Sequence, residues 1–160
     1  RSESYFLITS SAAFNFGRSL NCLLTSSIIL IAAFPTAFIE RAEKTNGNFI
    51  RQNSSWIRAC TDLSDGGLAL AAFKMCEAAG IGVSLETEDT TILFAEDQAR
   101  YLIACDFDQA EAILAAAGKV GIPAECVGTF SGDHVCFGKA TAKLKDLSKI
   151  YHNSFEAAIT

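Results

Sequence analysis

Two carboxylates, a serine hydroxyl and a pair of glycines stand together in Cys60-Thr61-Asp62-Leu63-Ser64-Asp65-Gly66-Gly67-Leu68. Residues 58–62 before the glycines are short and β-compatible. Leu68, Leu70, Ala71, Phe73, Lys74 and Met75 after them carry the spacing of an amphipathic helix. The glycine pair therefore falls in a strand-to-helix join. Exposed N–H groups at a helix start suit a phosphate oxygen, and glycines allow positive φ and close backbone approach by a ligand. Bare Asp62 and Asp65 would repel that phosphate unless a divalent metal bridged them to it. This points to phosphate or substrate binding by Asp62, Ser64, Asp65, Gly66 and Gly67, with Asp62 and Asp65 as metal ligands. The same residues also make an ordinary turn in which Ser64 or Asp65 is the N-cap. The pattern alone leaves both readings open.

A second acidic point, Glu96-Asp97, follows thirty residues on. Glu96 is expected to face the glycine turn as a further binding candidate, and Asp97 to pair with Arg100. The elements that must position these groups follow from pattern. Gly80 closes the helix opened by the acidic turn, residues 82–85 alternate like a strand, and residues 86–89 form an acidic loop. Residues 92–94 make a short apolar segment, 100–105 a buried strand, and 108–117 an alanine-rich helix ended by Gly118. A strand over 126–130, a hairpin turn at Ser131-Gly132-Asp133, a returning strand over 134–137 and a last helix over 144–158 complete the chain. This order predicts an α+β fold, a mixed sheet with helices on one face. His134 falls in the hairpin and His152 in the last helix, and both read as surface residues.

The acidic turn does not stand alone. Downstream come Gly80-Ile81-Gly82-Val83, then Leu93-Phe94-Ala95-Glu96-Asp97-Gln98-Ala99-Arg100-Tyr101-Leu102, then Gly121-Ile122-Pro123-Ala124 followed by Val127-Gly128-Thr129. In that order and at that spacing, residues 40–158 resemble the C-terminal end of the phosphoribosylformylglycinamidine synthases, glutamine-dependent ligases of purine biosynthesis. The resemblance implies the C-terminal α/β domain of the aminoimidazole ribonucleotide synthetase superfamily. In complete synthases two such halves are joined, each pairing an ATP-handling N-terminal domain with a domain of this kind. It also implies ATP and Mg²⁺ as the complete enzyme's cofactors, with the rest of the synthase chain and a glutaminase subunit or domain as partners. In the reaction implied, ATP activates an amide oxygen of formylglycinamide ribonucleotide as an iminophosphate, and ammonia from glutamine displaces it. The family's main nucleotide ligands and its catalytic histidine lie upstream and map to no residue here, so no catalytic residue is assigned. Thr61 stands where many members have histidine. The isolated chain is expected to be inactive. The alternative is a non-catalytic binding or interaction module that retains the fold.

Composition bounds these readings. A chain of 160 residues, 50% hydrophobic and 19% charged, suits one domain with a buried core. A net charge of −5 and a pI near 5.0, with no Lys/Arg stripe, exclude a nucleic-acid partner. Lys139, Lys143, Lys145 and Lys149 read as one solvated face. Cys60, Cys76, Cys105 and Cys126 sit in apolar surroundings and read as buried thiols. No Cys-x-x-Cys pair occurs and His134 and His152 are the only histidines, which argues against zinc and for a reducing, cytoplasmic setting.

The first part of the chain fits less well. Residues 20–39 are apolar apart from Asn21, Thr25, Ser26, Ser27 and Thr36, nearly enough to cross a bilayer. Arg18 and Pro35 lend the run some look of a signal peptide, although Arg1 is no signal start. The hydroxyl and amide side chains count against a membrane span. Gly17-Arg18-Ser19-Leu20, Pro35 and Asn46-Gly47 lie at family-like distances, but the residues between them are too apolar for the family's helix. Residues 1–39 are therefore expected to be an anomalous segment, corrupted for example by compensating frameshifts, and 40–160 the synthetase-like domain.

Overall fold

The computed structural model describes residues 14–15, 26–31 and 39–159. In chain order they form β1 (Phe14–Asn15), β2 (Ser26–Ile31), α1 (Ile39–Gln52), β3 (Ile57–Asp62), α2 (Gly67–Ala79), β4 (Val83–Leu85) and α3 (Thr90–Phe94). There follow β5 (Tyr101–Asp106), a 3₁₀ turn, α4 (Ala110–Lys119), β6 (Ala124–Phe130), β7 (His134–Phe137), β8 (Ala140–Lys143) and α5 (Leu144–Ile159). The strands join in one sheet, ordered β1-β3-β5-β2-β6-β4-β7-β8. Among the described residues only β4 and β7 pair in parallel, so the sheet is mixed, as the α+β expectation required.

The middle of the sheet is buried on both sides. Successive residues of a strand point to opposite faces, and β2 uses both. Ile28 and Leu30 join a core with Leu68, Ala72 and Met75 of α2, while Ile29 and Ile31 join one with Phe49 and Ile50 of α1 and Ile113 and Ala117 of α4. β5 repeats this, sending Leu102 and Ala104 to the first core and Ile103 and Cys105 to the second. Helices thus cover both faces, not one as the element order suggested. A strand covered twice reads as a continuous apolar run.

That explains part of the apolar stretch read as anomalous. Residues 26–31 form an interior strand, antiparallel to β5 (Ile29↔Ile103) and to β6 (Ile29↔Cys126), with every residue buried. The boundary drawn at residue 39 leaves this strand outside the sheet it completes. Apart from Phe14–Asn15 of β1, the remainder of residues 1–38 lies outside the described residues. No helix among the described residues is long and apolar enough to cross a membrane.

Three local expectations are corrected. The turn at 131–133 is not a hairpin, because β4 lies between β6 and β7, antiparallel to the first and parallel to the second. Gly82 and Gly128 make room for it: a Cβ on Gly82 would lie 2.2 Å from the His134 carbonyl oxygen, and one on Gly128 2.0 Å from that of Ser84. The hairpin is β7–β8, closed by Gly138-Lys139 with Phe137 opposite Ala140. Helix α4 runs past Gly118 to Lys119, and the left-handed residue after it is Gly121, φ 72°. Finally, Cys126 is exposed, whereas Cys60, Cys76 and Cys105 are buried as expected.

Candidate functional site

Strand β3 delivers Thr61 and Asp62 to the edge of the sheet, and the chain crosses Leu63-Ser64-Asp65 into α2. Leu63 is buried and its N–H donates to the Arg100 carbonyl (2.9 Å), which ties the turn to the start of β5. Gly66 (φ 80°) and Gly67 (φ 59°) are both left-handed, as the glycine pair suggested. Gly67 is pressed so closely under the end of α3 that a Cβ would lie 2.7 Å from the Ala95 oxygen and 2.9 Å from that of Leu93.

Neither Ser64 nor Asp65 caps α2 with its side chain. The N-cap is Gly66, and its N–H donates to Glu96 Oε1 at 2.9 Å, while the Gly67 N–H turns back to the Ser64 carbonyl (2.9 Å). Glu96 thus faces the glycine turn and supplies the acceptor that a phosphate oxygen would otherwise supply. Its own segment is held from below: Arg100, 8% exposed, donates to the Ala95 carbonyl (3.2 Å) and pairs with Asp97 at 3.5 Å. Ala99 in the same turn has φ 58°, and its carbonyl accepts from the buried Asn46 side-chain amide of α1 (2.9 Å).

The turn's other side opens on a groove of about 360 Å³ lined by Thr61, Asp62, Ser64 and Asp65 together with Lys74, Glu77 and Tyr151. Asp62, Ser64 and Asp65 are therefore brought together, whereas Gly66, Gly67 and Glu96 belong to the contact with α3. Position 61, threonine here, faces the groove. Lys74 was read only as part of the α2 spacing, and Glu77 and Tyr151 were not singled out in the sequence. The signal was a spacing: Ala71, Lys74, Met75 and Ala78 recur at i, i+3, i+4 and i+7, one face of α2, and all line the groove. Tyr151 arrives from α5, packed edge-on against Phe73 with ring centroids 5.4 Å apart.

Charge in the groove is uneven. Neither Asp62 nor Asp65 forms an ion pair among the described residues. Glu77 is engaged: one of its oxygens accepts from Ser148 Oγ (2.6 Å) and contacts His152 Nε2 (2.7 Å), both on α5. The Ser148 hydrogen bond, helped by His152 and opposed by partial burial, holds the Glu77 carboxyl below its ordinary range. Burial, with Asp62 adding, pushes the Cys60 thiol beside the turn up to about 12. His134 is exposed beside Asp133 (2.8 Å), away from the groove. No group of three or more His, Cys, Asp or Glu able to hold a metal occurs among the described residues.

Fold and site together define a mixed-sheet α+β domain with an acidic glycine turn opening on a groove. The family described as AIR synthase related protein, C-terminal domain, matches residues 40–139, and the chain belongs to that family. Among curated proteins it is 59% identical over 117 residues to the phosphoribosylformylglycinamidine synthase subunit PurL of Ruegeria sp. (strain TM1040), covering 73% of this chain and 16% of that protein. The corresponding subunit of Roseobacter denitrificans is 58% identical over 117 residues, with 73% and 16% covered. The chain thus spans only 16% of the length of these relatives. Among solved structures, Thermotoga maritima PurL complexed with ATP superposes with a TM-score of 0.63 at 18% identity, over 78% of this chain and 25% of that one. The same protein complexed with FGAR gives 0.64 at 15% identity, over 78% and 28%. These likenesses show the fold.

Proposed function

We propose that the chain serves as the C-terminal, AIR-synthase-type domain of a phosphoribosylformylglycinamidine synthase subunit, working in ATP-dependent amidation of formylglycinamide ribonucleotide. The observation that carries this is the 59% identity over 117 residues to a subunit of that name. The partners that follow are the rest of the synthase polypeptide and a glutaminase subunit or domain, in a cytoplasmic setting. A solved neighbour named as PurLQS from Thermotoga maritima supports an assembly of several subunits.

Within that assembly the domain's part is to present Asp62, Ser64 and Asp65 on one groove, at a turn fixed by Gly66, Gly67 and Glu96. Mg²⁺ is held by one or two carboxylates plus phosphate oxygens and water, not by an all-protein cage. Asp62 and Asp65, on one groove and without an ion-pair partner among the described residues, fit that donor set. When bound, the ion would neutralise charge on phosphoryl oxygens. The Ser64 hydroxyl can donate to the same oxygens, and Lys74 sets a cation in the groove wall. Phosphoryl transfer needs several groups positioned at once, and one acidic turn is part of such a constellation. The 160-residue chain alone is accordingly an inactive piece of the machine.

The test is a hybrid in which the matching 117 residues replace their counterpart in the Ruegeria subunit, assayed with ATP, ribonucleotide and ammonia beside the isolated chain. Turnover by the hybrid and none by the isolated chain is expected. A folded hybrid without turnover would favour a non-catalytic interaction module.

A further inference from the structure

Helix α5 is amphipathic, and its apolar stripe is only half covered. Leu147, Ile150, Tyr151 and Ser154, at i, i+3, i+4 and i+7, line a second groove of about 370 Å³, floored by Leu70 and Phe73 of α2 and flanked by Phe94 of α3. Its rim leaves large apolar side chains in water: Ile150 is 67% exposed, Phe94 57% and Tyr151 40%. Exposed apolar patches of this kind mark contact sites.

The geometry points to this groove as the seat of an apolar segment from the part of the synthase polypeptide that lies outside these 160 residues. The inference rests on the function proposed above. One observation favours that occupant. The curated relatives are so much longer that this chain spans 16% of their length, so most of the polypeptide remains to be packed somewhere. A second copy would set this same patch against itself in a two-fold contact, and the sedimentation arm of the test reads that alternative. An apolar element is what the lining accepts. Tyr151 lines both grooves, so an occupant here also sets one wall of the groove beside Asp62 and Asp65. Docking would then couple assembly of the chain to the shape of the candidate site.

The test reads access. Phe94→Cys and Ile150→Cys are labelled with a maleimide in the isolated chain and in the hybrid synthase, after the native cysteines of the hybridised segment are replaced by serine or alanine. Both positions should label quickly in the isolated chain and at least about tenfold more slowly in the hybrid. Equal rates in the two proteins would overturn the proposal. Slow labelling in an isolated chain that sediments as a dimer would assign the groove to a second copy, and slow labelling in an isolated monomer to the chain's own residues; either overturns it. An active hybrid with unprotected positions keeps the proposed function and loses the docking site, while an inactive hybrid with protected positions does the reverse. Should the hybrid not fold, cysteines at the aligned positions of the unaltered Ruegeria subunit give the same reading: slow labelling supports docking, and fast labelling overturns it.

Discussion

The backbone N–H of Gly66 and the carboxylate of Glu96 are 30 residues apart in sequence and 2.9 Å apart in space. The start of α2 is therefore capped through tertiary structure by a side chain that only the fold brings near. Replacing Glu96 by Ala should cost about 1 kcal/mol, whereas Gln keeps an acceptor oxygen and should cost a few tenths. Urea unfolding gives the energies, and hydrogen exchange at the Gly66 amide gives the site. Equal losses in both variants would mean that charge, not the hydrogen bond, is what matters.

Gly67 tests how closely α3 must approach. Alanine there meets a left-handed φ of 59° and two backbone oxygens within 2.9 Å, so Gly67→Ala should destabilise by about 2–4 kcal/mol. Gly118 is the internal control. It lies inside α4, where an added Cβ would meet nothing within 4 Å, and Gly118→Ala should stabilise by about 0.5–1 kcal/mol. Similar melting temperatures for the two variants would remove the close-approach argument.

The hold of α5 on α2 should depend on pH. Folding lowers the Glu77 pKa from its ordinary 4.5, chiefly through Ser148 and then through His152. A carboxyl shifted downward stabilises fully above its unfolded pKa, and the contribution fades as pH falls through the lower folded value. Acidification from pH 4.5 downward should therefore loosen this contact. Ser148→Ala should return the Glu77 titration, followed by carboxyl NMR, toward 4.5; a curve unchanged by that substitution would refute the assignment.

The thiols should divide into two classes. Burial pushes Cys60, Cys76 and Cys105 each up to about 12, while Cys126 is exposed. With Cys22 replaced by Ser, Ellman's reagent at mildly alkaline pH should reach Cys126 and the half-buried Cys136 at once, and the other three only as the chain unfolds. A third fast thiol in the folded protein would contradict the burial of these strands and of α2.

What could be read in advance was whatever is local. The strand-turn-helix around Asp62, the left-handed Gly66 and Gly67 and the closing Gly80 (φ 67°) follow from propensity and glycine's freedom. What escaped is set by contacts between distant segments. The slot between β6 and β7 is invisible until Gly82 and Gly128 are seen to admit β4, and a turn of three polar residues looks like a hairpin either way. Ala99 takes a glycine-like φ because Asn46, 53 residues away, and the neighbouring Arg100 fix its surroundings. The apolarity of 26–31 suits a membrane or a two-sided core equally well, and only the pairing with β5 and β6 decides. Of the site, the acidic turn was legible, but the groove wall was not, since Tyr151 comes from a helix eighty residues downstream.

Asp65 separates binding from architecture. Its side chain makes no cap hydrogen bond at the start of α2 and lies exposed on the groove. Asp65→Asn keeps the size and an acceptor oxygen while removing the charge, so stability should change by less than about 0.5 kcal/mol. A metal-bridged phosphate would feel the change. In the hybrid synthase the Mg²⁺ concentration for half-maximal rate should rise by about tenfold, the scale on which even an outer partner of a metal site acts. Ser64→Ala serves as the comparison, because it removes a hydroxyl donor without altering charge and should weaken substrate binding while leaving the Mg²⁺ dependence in place. If Asp65→Asn left both the Mg²⁺ dependence and substrate affinity untouched in an active hybrid, Asp65 would be a solvated turn residue, and the metal reading of this groove would fall with it.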